Sequence, residues 1–174
     1  MAGYDLSAAR NNLQILQEWT YLNTGTVGVM AEPVLSKLID YITEYERGGH
    51  VAQAAAVAHT NRARIALADL VGAKPDDIAF NRNATDGINW VAAGVQLSSG
   101  DEVITSTEEH PAMVLPLIAA CERSGARLRF IDLHPDCESF STSVQSALST
   151  RTRLIALSQV SCETGLRVPV GLLR

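Results

Sequence analysis

The run Phe80-Asn81-Arg82-Asn83-Ala84-Thr85-Asp86-Gly87-Ile88-Asn89 sets small polar side chains, a hydroxyl and a glycine between two apolar stretches, Ile78-Ala79-Phe80 and the segment carrying Ile88, Trp90 and Val91. A helix that begins at such a junction leaves backbone N–H groups without partners and carries partial positive charge at its start. A small residue and a threonine placed there make a seat for a phosphate. The expected ligand is therefore an anion, and a phosphorylated cofactor is the natural candidate. Asn, Thr and Asp also favour helix caps, so this run taken alone leaves a plain cap and an anion seat both open.

Two further clusters follow apolar runs in the same manner. Thr107-Glu108-Glu109-His110-Pro111 comes after Glu102–Thr105, and Ser161-Cys162-Glu163-Thr164-Gly165 comes after Arg153–Val160. A histidine ring such as that of His110 can stack on a planar cofactor, or it can cap a helix or lie on the surface. Cys162 reads as a small buried residue or as a ligand contact. Asn23, in Tyr21-Leu22-Asn23-Thr24-Gly25, reads as a substrate contact or as part of a loop that needs glycine geometry. His50, His59 and His134 have no partner pattern and read as structural or exposed. No His, Cys, Asp or Glu set has metal-ligand spacing. Neither GxGxxG nor GxxxxGK[ST] occurs.

The elements that must carry these clusters alternate along the chain. Helices are expected from Leu6 to Trp19, from Glu32-Pro33 to the Gly48-Gly49 stop, and from Val51 to Val71 before Gly72. Val34, Leu35, Leu38, Ile39 and Ile42 form the apolar stripe of the second. Then come strand Ile78–Phe80, helix Thr85–Leu97, strand Glu102–Thr105, helix Pro111–Arg123, strand Arg127–Leu133, a helix around Thr142–Leu148, and strand Arg153–Val160. This alternation predicts an α/β fold with a mostly parallel sheet and flanking helices. Ligands of such sheets bind beyond the carboxyl ends of the strands, so parallel strands bring all three polar loops to one rim. The leading helices suit a lid or an oligomer arm.

Bulk properties narrow the partners. The chain has 174 residues, a net charge of −5 and 47% apolar residues, enough for a buried core. The acidic balance argues against nucleic acid and anionic membranes. Three cysteines at wide spacing, Cys121, Cys137 and Cys162, read as reduced thiols of a cytoplasmic protein. No apolar run approaches the roughly 20 residues that span a bilayer. The only lysines are Lys37 and Lys74.

With their order and spacing, the three loops resemble the class V aminotransferase family of fold-type I pyridoxal-phosphate enzymes. That group includes cysteine desulfurases, C–S lyases and isopenicillin-N-epimerase-like proteins. The resemblance runs from Tyr21 almost to the end of the chain. It implies that Asn83-Ala84-Thr85-Asp86-Gly87 is the phosphate loop, with Ala84 and Thr85 holding the phosphate of pyridoxal 5'-phosphate. It implies that His110 stacks on the pyridine ring, and that Ser158 to Pro169 lies beside the cofactor's phenolic oxygen, with Cys162 where desulfurases usually place Asn. Tyr21-Leu22-Asn23-Thr24-Gly25 corresponds to a segment near the active site, with Asn23 the substrate contact. The Cys162 departure, and Gln159 in place of a histidine, lean the pattern toward the epimerase-like or C–S-lyase branch. The family's cofactor-linking lysine, its ring-nitrogen aspartate and its substrate-gripping arginine have no counterpart among these residues.

The resemblance thus implies the N-terminal part of an enzyme acting on an amino acid. Residues 1–50 form a helical arm and residues 51–174 an incomplete cofactor-binding large domain, without a small C-terminal domain. The whole enzyme is expected to be a cytoplasmic homodimer, and the chain by itself inactive. The rival expectations are a non-catalytic α/β module that binds a phosphorylated small molecule and a domain that acts by pairing with another chain.

Overall fold

A computed structural model describes residues 5–173. Packing divides the chain into two units, Met1–Ala79 and Phe80–Arg174.

The second unit is built on a three-stranded parallel sheet. Its strands are β1, Glu102–Ser106, β2, Arg127–Ile131, and β3, Thr152–Ile155, in the order β2-β1-β3. Glu102 stands opposite Arg127 on one side and Thr152 on the other. All five residues of β1 are buried, as suits a central strand covered on both faces. Successive side chains of a strand point to opposite faces, and the core follows that rule. Val103 packs with Ala92, Leu117, Ala120 and Cys121 on one side. Ile104 packs with Ile131, Leu133, Phe140, Val144, Ala147 and Val168 on the other. The first cluster draws on helices α5, Ala84–Gly94, and α6, Pro111–Ser124; the second draws on α7, Cys137–Ala147.

Local chemistry sets the helix limits. The side chains of Asn83 and Asp136 cap α5 and α7 by accepting from the backbone N–H of Asp86 and Ser139. α6 starts on Pro111 and ends where Gly125 turns left-handed at φ 72.

In the first unit, α1 spans Leu6–Asn11, α2 Ile15–Glu18, α3 Glu32–Gly48 and α4 Gln53–Val71, with 3₁₀ turns over Gly49–Ala52 and Pro75–Asp77. The apolar stripe of α3 is exposed within it, Val34, Leu38 and Ile42 included.

Several expectations are corrected. The helix from Leu6 to Trp19 is broken after Asn11, where Asn12 closes α1 with its N–H on the carbonyls of Ala8 and Arg10; adjacent asparagines favour such ends over helix interiors. Val51 lies in a 3₁₀ turn rather than in α4. Ile78–Phe80 is not a strand, because Ile78 gives its carbonyl to the Arg64 guanidinium and not to a neighbouring strand. The sheet therefore has three strands among the described residues instead of four. The last strand stops at Ile155, and Val160 instead forms an antiparallel bridge with Arg167. α7 begins at Cys137, ahead of the expected Thr142, because Asp136 supplies a cap.

Candidate functional site

Where α5 and α6 begin is fixed by packing. Ala92, late in α5, and Leu117 to Cys121, in the second half of α6, meet at Val103 near the start of β1. The two helices thus run side by side against the direction of β1, and both begin at its carboxyl edge.

At the start of α5, Asn83 Oδ1 accepts from the N–H of Asp86 at 2.9 Å. That cap serves the third residue of the helix. The N–H groups of Ala84 and Thr85, in the first two positions, have no carbonyl one turn behind them. Both residues are exposed, and among the described residues no hydrogen bond engages Thr85 Oγ1, while the Thr85 carbonyl accepts from Asn89 Nδ2 at 2.8 Å. Asp86 puts a negative charge in this turn, but Arg82 pairs with it at 2.7 Å and offsets it. Gly87 lets the Asn81 side chain lie against this turn, where a Cβ would stand 2.8 Å from Asn81 Nδ2. Two backbone donors, a hydroxyl and a cancelled carboxylate suit the phosphate of a cofactor.

The turns after β1 and β3 are tied to each other. Glu109 is 8% exposed. Its Oε1 accepts from Ser106 Oγ at 3.1 Å and from the backbone N–H of Ser158 at 2.8 Å. Its Oε2 accepts from Ser158 Oγ at 2.6 Å. One residue earlier, Thr164 Oγ1 donates to Glu108 Oε2 at 2.5 Å. That bond, helped by Ser161 and opposed by partial burial, holds the Glu108 carboxyl below its ordinary range. Buried Ser161 closes the second turn by accepting from the N–H groups of Glu163 and Thr164. Gly165, at φ 73, donates its N–H to the Ser161 carbonyl.

His110 lies between these tethers and α6. Its ring is exposed, and its Nδ1 accepts from the N–H of Ala112 at 3.0 Å, so the histidine is the N-cap of α6. The donated N–H leaves Nδ1 unprotonated, and the neutral ring carries its hydrogen on Nε2. A planar ring held by its inner nitrogen leaves its face and outer edge to a ligand.

The polar turns at His110 and Cys162 thus meet through side chains, and the phosphate-type turn of α5 begins at the same edge of the sheet. The structure corrects the reading of Cys162 as a small buried residue. The cysteine is exposed at the tip of the Ser161–Gly165 turn, because Ser161, not Cys162, is the residue that points inward. Asn23 belongs to the first unit, where its backbone carbonyl accepts from the N–H groups of Thr26 and Val27. What sequence reading did not single out is the Glu109 clamp. Its signal was available: a serine ending one strand, a serine after another, and a carboxylate in the turn between strand and helix.

Among the described residues no group of three or more His, Cys, Asp and Glu is arranged to hold a metal ion. No helix among them is long and apolar enough to cross a membrane.

Comparison with known proteins gives consistent relations. The family model described as aminotransferase class-V matches residues 21–174. A cysteine desulfurase of Enterobacter sp. (strain 638) is 35% identical over 129 residues, which are 72% of this chain and 32% of that protein. A cysteine desulfurase of Klebsiella pneumoniae (strain 342) is 31% identical over 165 residues, 90% of this chain and 41% of that protein. A solved structure of the cystine C–S lyase C-DES with its product cysteine persulfide superposes with a TM-score of 0.85 at 24% identity, covering 92% of this chain and 44% of that one. The chain thus spans roughly a third to two fifths of the length of these curated relatives.

Proposed function

The chain belongs to the aminotransferase class-V family, and from that membership we propose that it forms the N-terminal part of a pyridoxal-phosphate-dependent enzyme acting on a sulfur-containing amino acid. The substrate class follows the relatives' names, cysteine desulfurase and cystine C–S lyase. The observation that carries the proposal is the pair of strand-end turns joined through Glu108 and Glu109 at the edge where α5 begins.

When bound, the cofactor supplies an electron sink for carbanion chemistry at an amino acid. The residues here bind and orient. The N–H groups of Ala84 and Thr85, with the Thr85 hydroxyl, hold the phosphate at the positive end of α5. His110 covers one face of the ring, its Nδ1 committed to the α6 cap. Cys162 borders the phenolic-oxygen side from its exposed turn. A lysine linked covalently to the cofactor is not among these roles: Lys37 sits on α3 and Lys74 precedes the Pro75–Asp77 turn. The 174 residues by themselves are therefore expected to bind the cofactor without a covalent bond and without turnover.

Titration of the chain with pyridoxal 5'-phosphate, pyridoxine 5'-phosphate and unphosphorylated pyridoxal tests the reading. Both phosphates should bind and pyridoxal should not. Thr85→Ala should weaken both about tenfold, the loss of one hydrogen bond to a charged group. Equal binding of pyridoxal, or no effect of Thr85→Ala, would refute the phosphate seat. Borohydride reduction followed by mass spectrometry tests the rest; one stoichiometric lysine adduct together with amino-acid turnover overturns it.

A further inference from the structure

His110 owes its position to two constraints acting from opposite sides. On the α6 side, Nδ1 accepts the Ala112 N–H at 3.0 Å, which fixes the ring's rotation and its tautomer. On the β1 side, the preceding residue is the buried Glu109, whose two carboxylate oxygens accept from Ser106 Oγ, Ser158 N–H and Ser158 Oγ. Ser158 lies 49 residues away in sequence, so the carboxylate fixes the backbone next to His110 against the end of another strand. A buried carboxylate is costly without such partners, and three donors within 3.1 Å define a single geometry for it. Exposed His110 has no comparable anchor of its own beyond the cap.

We propose that Glu109 is the positioning residue for His110: clamped by Ser106 and Ser158, it holds the β1–α6 turn where the imidazole can cap α6 through Nδ1 and present its Nε2–H edge and its face outward. The importance of this ring rests on the cofactor reading above; the clamp itself does not. Loosening the clamp lets the turn shift, the Ala112–Nδ1 bond lapses part of the time, and the proton redistributes between the two ring nitrogens. A carboxylate with a purely structural role would lower stability and leave the tautomer unchanged.

The test is two-dimensional NMR of the cofactor-free chain carrying ¹⁵N-histidine, at about pH 8, where an ordinary imidazole is neutral. His110 is identified by the signals lost in His110→Asn. The parent should show Nδ1 with the shift of an unprotonated nitrogen and Nε2 with that of a protonated one. In Glu109→Ala and in Ser158→Ala both nitrogens should move toward the average of the two tautomers. Ser158→Thr, which restores the hydroxyl, should restore the parent pattern. Thr164→Val breaks the neighbouring Glu108 tether only and should leave His110 unmoved. If Glu109→Ala does not fold, the Ser158 pair decides. A fixed Nε2–H tautomer in folded Ser158→Ala, or an equal shift in Thr164→Val, overturns the proposal. The cofactor reading is judged separately, by whether added pyridoxal 5'-phosphate perturbs the His110 signals of the parent chain.

Discussion

Replacing Glu109 by alanine removes one acceptor from three donors, and the structure allows the cost to be apportioned. Ser158 N–H cannot turn away; a buried N–H left without a partner costs about 1–3 kcal/mol. The hydroxyls of Ser106 and Ser158 can rotate toward another acceptor, so each loses about 0.5–1 kcal/mol. Ser158 is only half-buried, and water will take up part of the deficit, which places the sum near 3 kcal/mol. Glu109→Gln should cost less. Its amide oxygen can sit at the Oε1 position and serve the two donors there, while its NH₂ donates to a reversed Ser158 hydroxyl. Only the charge assistance is lost, about 1–1.5 kcal/mol. The assay is urea unfolding followed by tryptophan fluorescence in a Trp19→Phe background, so that Trp90 reports the Phe80–Arg174 unit alone. Combining Glu109→Ala with Ser158→Ala closes a double-mutant cycle, and its coupling should be about 1 kcal/mol or more. A Glu109→Ala loss within about 0.5 kcal/mol of zero, the size of an ordinary surface change, or no coupling to Ser158, would refute the clamp.

Two further outcomes follow from titration and exposure. The carboxyl of Glu102 is held below its ordinary range chiefly by the Ser149 hydroxyl, with Arg129 assisting against desolvation, and that of Asp136 by Ser139. A depressed folded-state pKa means that the unfolded chain binds more protons in the window between the two values. Stability is thus fully present above the ordinary carboxylate range near pH 4 and lost as pH falls below it; Glu102→Gln should flatten part of that acid limb in pH-dependent unfolding, and an unchanged slope would count against it. Cys137 and Cys162 are exposed while Cys121 is buried with its thiol pushed up by burial, so a thiol reagent should modify two cysteines quickly and the third only at the rate of opening; three equal rates would contradict the packing around Cys121.

Much of the fold was legible because it rests on local rules. Glycines at left-handed ends, Pro111 at a helix start and β-branched runs such as Val103-Ile104-Thr105 announce elements whatever surrounds them. The Asn83 cap of α5 was legible for the same reason, since it acts within one helical turn. Ile78–Phe80 was misread because an apolar triplet becomes a strand only beside a partner, and here the Ile78 carbonyl meets Arg64 instead. The buried reading of Cys162 fails because Ser161 takes the inward place in the turn, where its hydroxyl accepts from the N–H groups of Glu163 and Thr164.

The residue types alone determined a parallel α/β frame and the caps at Asn83 and His110, because each is a short-range consequence of chemistry or periodicity. Only the tertiary structure decided that Glu109 reaches Ser158 and Thr164 reaches Glu108. These contacts span 49 and 56 residues. They exist because β1 and β3 lie side by side and parallel, and no local pattern specifies which distant serine a buried carboxylate will find.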